Sequence, residues 1–457
     1  MPQRRDYIDE LKGLGILLVV LGHFIEQYRM GYSFVSASFF CIYAFHMALF
    51  CICSGLVARF NPRKLVTQQL WLYLVGQTLM LAFRAAVLRE KFAETGGLLA
   101  AWLLPWRHIW YLYALIFWHL TLPVLCRLRD RLGLAGSCLG MALAVGLALM
   151  LYYAAHKQGY HVDELYTYEL ANYPGGFYAL EDGYMDSWHD GSFYSAVLTP
   201  GRLFDYTIPW NNQKIDVHPP LYYCLIYTAE SLFPQLGLPW VGLLPNFVCI
   251  LAGAAVLYCT AKRLIGRFWP AWTAAACWLL CVGVQGMAVF TRMYSLMMLE
   301  GIVLLYCHVV LWQALQAGQK PPRAVWPGLF AVTMAGALTQ YFFLVFCFFV
   351  CGLFGVWLLA TRRFKTAGGY VIAEFAALAA AYAAFPTMKA HIFSGSRGKE
   401  AFASVFDLSA LAEWGRSIGT VVQLLAAQFG GLWLWAVVVA AAAVVLGRRG
   451  CRLRGKG

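Results

Sequence analysis

Three short groups of residues carry the chemistry this sequence offers. The first is Asp163-Glu164, two adjacent carboxylates placed a few residues after a strongly apolar block. A carboxylate at such a boundary accepts a proton from an attacking hydroxyl, or holds a divalent metal against a phosphate. On spacing alone a solvated acidic pair is the plainer reading. The second is Asp216-Val217-His218-Pro219-Pro220-Leu221-Tyr222-Tyr223. Two prolines stop a helix before them and suit the first turn of a helix after them. His218 then sits at a helix start, where anions are also stabilised, and its imidazole can contact a phosphate or shuttle a proton. A turn leading into a membrane-anchoring aromatic helix is the alternative. The third is Thr291-Arg292-Met293-Tyr294-Ser295, between two apolar blocks. An arginine at a membrane boundary is costly, and its guanidinium matches phosphate oxygens; snorkelling to the interface is the competing reading.

The elements around these groups are set by composition. Of 457 residues, 61% are hydrophobic and 12% charged, against about 45–50% and about 25% in soluble domains. Apolar blocks such as 138–154, 269–288 and 429–447 reach the roughly 20 residues that cross a bilayer as helix. Backbone groups in lipid must satisfy one another, so such blocks are helices. They recur along the whole length, which a cleaved signal peptide does not explain.

The net charge of +13 is distributed in short breaks between apolar blocks, and seven such clusters hold 22 of the 35 Lys and Arg residues. They are Arg4/Arg5/Lys12, Arg59/Arg63/Lys64, Arg127/Arg129/Arg131, Lys262/Arg263/Arg267, Lys320/Arg323, Arg362/Arg363/Lys365 and Arg448 to Lys456. Read as cytoplasmic turns they are a positive-inside signal, with both termini cytoplasmic and no nucleic-acid partner implied. The segment 155–215 instead holds eight acids and three bases, the mark of an external loop. The fourteen cysteines fall mostly inside apolar blocks and read as small apolar fillers rather than disulfides or a thiolate metal site.

These signals predict an all-α, polytopic transmembrane bundle of about 12 spans. Four spans are expected near 12–29, 36–58, 66–88 and 108–126, followed by a basic cytoplasmic linker at 127–137. Further spans follow at 138–154, 238–260, 269–288, 294–314, 323–338, 341–361, 367–385 and 429–447. External loops occupy about 155–237 and 386–428, the first carrying short interfacial helices. Residues 221–233 are apolar enough to cross, but a crossing there would reverse every later basic cluster. They are expected in the outer interface with aromatics at headgroup depth.

Taken in order, Asp163-Glu164 after a helix, the Asp216-to-Tyr223 word, a helix ending in Lys262-Arg263-Leu264-Ile265-Gly266-Arg267, and Arg292-Met293-Tyr294 resemble the GT-C membrane glycosyltransferases. The likeness is to their protein O-mannosyltransferase-like and aminoarabinose-transferase-like branch, over about 138–445. It implies transfer of a sugar from a polyprenyl-phosphate carrier to a glycan, lipid or protein acceptor on the extracytoplasmic face of a bacterial plasma membrane, within the cell envelope. By the same likeness Asp163 is the base, and Glu164 assists it or helps hold a divalent metal. His218 approaches the lipid phosphate, and Arg292 with Tyr294 binds it as it leaves. Arg202 and Gln340-Tyr341 are further substrate-binding candidates.

The N-terminal 1–126 carry a different set: Lys12 and His23 on the first block, then His46 in Phe45-His46-Met47-Ala48-Leu49-Phe50. Histidines on neighbouring spans make a proton-transfer or acyl-handling pair, or pack as hydrogen-bonded core residues. With Trp110-Tyr111-Leu112-Tyr113, these words resemble half of the membrane-bound acyltransferase-3 family. That likeness implies acyl transfer from acetyl-CoA at Lys12, His23 and His46, either as an alternative activity or as half of a bifunctional fusion; because the family's second half is absent, a vestige serving as a membrane scaffold is the other reading.

Overall fold

The computed structural model describes residues 6–26, 60–89, 97–103, 110–176, 198–237, 240–395 and 411–428, with isolated positions between 28 and 42. Among them every regular element is a helix, and there is no strand. The chain forms two compact units, Met1–Ser137 and Cys138–Gly457.

In the first unit, α1 covers Asp6–Glu26. Helix α2 begins at Pro62, after Asn61 accepts the Lys64 amide through its side chain, the expected cap with proline in the first turn. It passes through a π-helical stretch, Leu65–Leu70, into Trp71–Ala86. Two polar side chains of α2 reach α3 (Gly97–Leu103): Gln77 donates to the Ala101 carbonyl at 3.0 Å and Tyr73 to that of Leu103 at 2.8 Å. The expected span at 36–58, with His46, lies outside the described residues.

Helix α4, Trp110–Ala155, contains the boundary between the units and is broken at Gly133 (φ 69°, ψ 171°). Glycine enters this region without a Cβ clash. Residues 127–137, expected as a linker, are thus helical on either side of one non-helical glycine.

The second unit continues with three short helices: α5 (Val162–Asn172), α6 (Thr207–Ile215) and α7 (Leu221–Leu232). Longer ones follow: α8 (Trp240–Ile265), the pair α9 (Phe268–Leu280) and α10 (Val282–Ala288), α11 (Tyr294–Gln316), α12 (Val325–Thr339), α13 (Tyr341–Ala360) and α14 (Phe364–Ala384). Short α15 (Met388–Phe393) and α16 (Leu411–Gln428) lie in the expected second loop. Helix α8 packs against α9 and α11, while α12 packs against α11, α13 and α14.

Among the described residues, five helices are long and apolar enough to cross a membrane, and a sixth if α9 and α10, bent by 56°, count as one. Their outward faces are apolar: Phe342, Phe348 and Leu353 of α13 are each over 70% exposed. These helices are consistent with an integral membrane protein. Helix α12 has 15 residues, about 22 Å of helix, which is short of a roughly 30 Å core. The expected span at 429–447 lies outside the described residues.

Helix α7 departs from expectation in one respect. At 12 residues it is about 18 Å long, too short to cross, but its aromatics do not lie at a headgroup surface. Tyr222, Tyr223, Ile226 and Tyr227 are fully buried, because each tyrosine hydroxyl has an internal polar partner. Tyr222 donates to Asn246 at 2.9 Å and Tyr227 to the Arg202 carbonyl.

Farther along α7, Glu230 is buried with both carboxyl oxygens unpartnered. Burial pushes its pKa up to about 8, an effect the Asn172 side chain only partly offsets. The folded chain therefore holds this proton at pH values where an unfolded glutamate, with pKa about 4.3, has lost it. The contribution is fullest at low pH and is lost as pH rises toward about 8. Replacing Glu230 by Gln should leave the melting temperature near that of wild type at about pH 5 and raise it above wild type at about pH 9. Parallel pH profiles for the two proteins would show that Glu230 is not buried as described.

Candidate active site

The site is organised around Glu164, whose carboxylate is 2% exposed. At the start of α5, His161 and Glu164 form a capping box, with Glu164 Oε2 accepting the His161 amide at 2.9 Å. Oε1 accepts from Lys157 Nζ at 2.5 Å and from the Thr291 amide at 2.8 Å. Lys157 also donates to the Val289 carbonyl at 2.7 Å. One carboxylate thereby fastens α5 to the turn between α10 and α11, the turn that carries Arg292.

That turn is held from below as well. Asn246 of α8 donates to the Phe290 carbonyl at 2.7 Å while accepting from Tyr222. Tyr168 of α5 approaches Thr291 (3.4 Å between hydroxyls) and lies directly over Gly242, where a Cβ would sit 2.0 Å from its hydroxyl oxygen. A side chain at 242 is therefore excluded.

Arg292 is buried and reaches across the site. Its Nη1 donates to the Asp163 carbonyl at 3.3 Å, to Thr167 Oγ1 at 3.1 Å and to Tyr223 at 3.4 Å. Its Nη2 lies 3.3 Å from His218 Nε2, and its Nε has no partner. Among the described residues its hydrogen-bond partners are neutral acceptors. A buried guanidinium of this kind retains both charge and an unused donor, the requirements for holding an anion.

His218 is oriented from its other side. Its Nδ1 is 2.7 Å from Asp216 Oδ2, so Nδ1 carries the proton and Nε2 is left to accept from Arg292. In the orientation that satisfies both of its amide atoms, Gln213 donates to Asp216 Oδ2 at 3.2 Å and to the His218 carbonyl at 3.0 Å. Burial pushes the Asp216 pKa up, but the hydrogen bond from His218, with the Val217 and His218 amides, outweighs it and holds it below the usual carboxylate range. Asp216 is thus ionised throughout neutral pH and keeps the imidazole in one orientation.

Asp163 behaves differently from its neighbour. Its side chain is 41% exposed. His161 Nδ1 approaches Asp163 Oδ2 at 3.8 Å, but the same nitrogen accepts the Asp163 amide at 3.2 Å. An unprotonated nitrogen makes no ion pair, so the carboxylate is free to meet solvent or substrate. The paired role expected of Asp163 and Glu164 is accordingly split. Glu164 has both oxygens occupied by N–H donors and does not fit a shared divalent-metal site, so no metal step is assigned to the pair.

Three other expected residues fall elsewhere. Tyr294 stacks on Phe290 (rings 6.2 Å apart) and does not bond the Arg292 guanidinium. Arg202 is exposed, 3.7 Å from Asp205, and lines a separate surface cavity with Pro174, Thr207 and Asn211. Tyr341 bonds His391 Nδ1 at 2.9 Å. Burial lowers the pKa of His391, and the Lys214 backbone and Asp216 only partly offset it.

In the first unit, Lys12 and His23 both lie on α1, eleven residues and therefore about 16 Å apart. His23 is 3.3 Å from Glu26. His46 is outside the described residues.

Comparisons of the chain with protein-family models, with curated proteins and with solved structures give no match.

Sequence reasoning placed Asp216 and Tyr223 in the motif around His218 without giving them a role, and it missed Lys157, Thr167 and His391. Asp216 had a signal, being two residues before a histidine held by prolines. Lys157 and His391 had none, because their partners are set by folding.

Glu164 and Asp163 should separate cleanly on mutation. Glu164→Ala strands Lys157 without its buried partner and should cost about 3–5 kcal/mol, whereas exposed Asp163→Asn should change stability by about 0.5 kcal/mol or less. Denaturation in detergent micelles measures both; equal losses would contradict the split in roles.

Proposed function

We propose that the Cys138–Gly457 unit is a glycosyltransferase that moves a sugar from a polyprenyl-phosphate carrier to a hydroxyl acceptor on the extracytoplasmic face of a bacterial plasma membrane. The observation that carries this reading is Arg292: a buried cation with neutral partners and a free Nε–H, beside an aspartate-oriented histidine and an accessible carboxylate. The reading takes the chain as a bundle of about 12 crossings with cytoplasmic termini, in which the polar segment 155–237 faces outward.

In this mechanism Asp163 accepts the proton of the acceptor hydroxyl as its oxygen attacks the anomeric carbon. The bond from that carbon to the phosphate oxygen breaks, and its electron pair leaves on the phosphate. Arg292 stabilises the developing charge, the kind of preorganised donor that contributes most where water is excluded. His218, held by Asp216, lies against the guanidinium and fixes where its free edge points. Tyr341 and His391 border the sugar or acceptor. Asp163 and Arg292 take opposite ends of the reaction, one receiving the proton and the other the leaving anion.

Acyl transfer by the first unit would require a partner for His23 from outside α1, because Lys12 is about 16 Å away along that helix. No feature of the described residues favours it over glycosyl transfer.

The test is transfer of labelled sugar from polyprenyl-phosphate donor in proteoliposomes holding the full chain. Asp163→Asn should lower the rate about 10²–10⁴-fold, the range for loss of a positioned base. Arg292→Lys should lower it about 10²–10³-fold, since the ammonium lacks the guanidinium fork. Full activity in both variants would overturn the reading, as would wild-type protein that transfers only an acyl group.

A further inference from the structure

A second polar cluster lies inside the helices of the same unit. His308 is on α11, Cys347 and Cys351 are on α13, Tyr370 and Glu374 are on α14, and Thr333 is on α12. His308 is sixteen residues beyond Arg292, about 24 Å at the helical rise, so this is not part of the site above.

The donor atoms are arranged as a ligand set. His308 Nδ1 is 2.7 Å from the Leu304 carbonyl, which only accepts, so Nδ1 carries the proton and Nε2 presents its lone pair. That backbone bond is the usual way a metal-binding imidazole is oriented. Nε2 lies 2.7 Å from the Tyr370 hydroxyl and 3.9 Å from Cys351 Sγ. Cys347 and Cys351, one helical turn apart, bring their sulfurs to 3.5 Å. Glu374 accepts from Thr333 through Oε2 at 2.8 Å, while Oε1 is buried without a partner. One ligand atom each from His308, Cys351 and Glu374 lies within 4.8 Å of the others.

The histidine–cysteine separation matches a known geometry. With metal–sulfur bonds of about 2.3 Å and metal–nitrogen bonds of about 2.0 Å, a tetrahedral zinc site sets N···S near ~3.5 Å. The observed 3.9 Å between His308 Nε2 and Cys351 Sγ is within a few tenths of an ångström of that N···S value. His308, Cys347 and Glu374 are each more than nine-tenths buried. An unpartnered carboxyl oxygen there is costly unless something binds it.

We propose that His308 Nε2, Cys351 Sγ and the Glu374 carboxylate bind a thiophilic divalent cation of the zinc class, with Cys347 packed beside Cys351. Thiolates select against magnesium and calcium, which take oxygen ligands. On binding, Cys351 releases its thiol proton to solvent and becomes a thiolate, and Glu374 coordinates as its carboxylate, so their two negative charges offset those of the cation. Tyr370 gives up its contact with Nε2, which the metal replaces. The ion joins α11, α13 and α14 through side chains on three separate helices.

The experiment uses the full chain in detergent, stripped with chelator, reloaded with Zn²⁺, desalted and analysed for metal by mass spectrometry. Wild type should retain about one Zn²⁺ per chain and melt higher than the stripped form, as expected when a ligand binds only the folded state. The double variant Cys347→Ser/Cys351→Ser should retain less than about one-tenth as much and show no melting shift. A Cys259→Ser/Cys277→Ser control, at exposed cysteines outside the cluster, should behave as wild type. Should the first double variant elute as aggregate, His308→Gln replaces it with the same expectation. Wild type retaining no more Zn²⁺ than a cysteine-free, histidine-free control protein would overturn the proposal, as would retention unchanged in the cluster variants.

Discussion

The site in the second unit depends on one buried carboxylate. A glutamate removed from water must have its charge met by donors, or it becomes protonated. Glu164 meets that requirement with an ammonium and two backbone amides, from Lys157, His161 and Thr291. Those donors belong to two stretches of chain more than a hundred residues apart, so satisfying the charge also closes a long-range contact. The residues on either side inherit their positions from it: Asp163 precedes the anchored carboxylate and Arg292 follows the anchored amide. The arrangement is a positional constraint before it is a source of stability, since a buried ion pair returns little net energy over an apolar substitute.

Around this anchor the charges are unequally satisfied. Glu164 is saturated, Asp216 is occupied by His218, and among the described residues the exposed Asp163 carboxylate meets only the unprotonated His161 nitrogen at 3.8 Å. Arg292 is surrounded by neutral acceptors, with one N–H unused. Proteins do not ordinarily bury a guanidinium in that state, because desolvation is repaid only by a fitting anion. The imbalance is local and directional. It leaves an unused guanidinium donor on Arg292, which bonds the backbone carbonyl of the same Asp163 whose carboxylate is exposed.

Elsewhere in the second unit, polar side chains meet in pairs across helices that are otherwise apolar. Thr339 donates to Glu300 at 2.7 Å, Thr333 to Glu374 at 2.8 Å, and Tyr370 contacts His308. Between apolar helices in lipid there is little hydrophobic drive to associate, so such bonds and close packing set which faces meet. Gly336 shows the packing part: a Cβ there would lie 2.3 Å from the Phe343 ring. The bonds are incomplete, since Glu300 and Glu374 each keep one oxygen without a partner.

Much of this was legible in the chain. Apolar blocks of spanning length at 238–260, 294–314, 341–361 and 367–385 became α8, α11, α13 and α14, because periodic apolar composition alone makes a helix in lipid. The two prolines at 219 and 220 announced the start of α7, and Asp163, His218 and Arg292 stood out as polar residues at apolar boundaries. Their juxtaposition was not legible. Neighbouring letters concealed that Asp163 faces out while Glu164 faces in, because one residue of helix turns a side chain by about 100°. The sequence also suggested that the tyrosines of α7 sit at a lipid surface; folding buried them, since Asn246, Arg292 and the Arg202 carbonyl offer their hydroxyls bonds that the sequence does not show. Cys351 read as apolar filler, and only the approach of His308 and Glu374 from other helices gave it ligand atoms for neighbours. The sequence by itself determined the helices and the residue types at their ends. Tertiary structure decided which of those residues share a charge, because electrostatic partners across more than a hundred residues are chosen by packing and not by spacing.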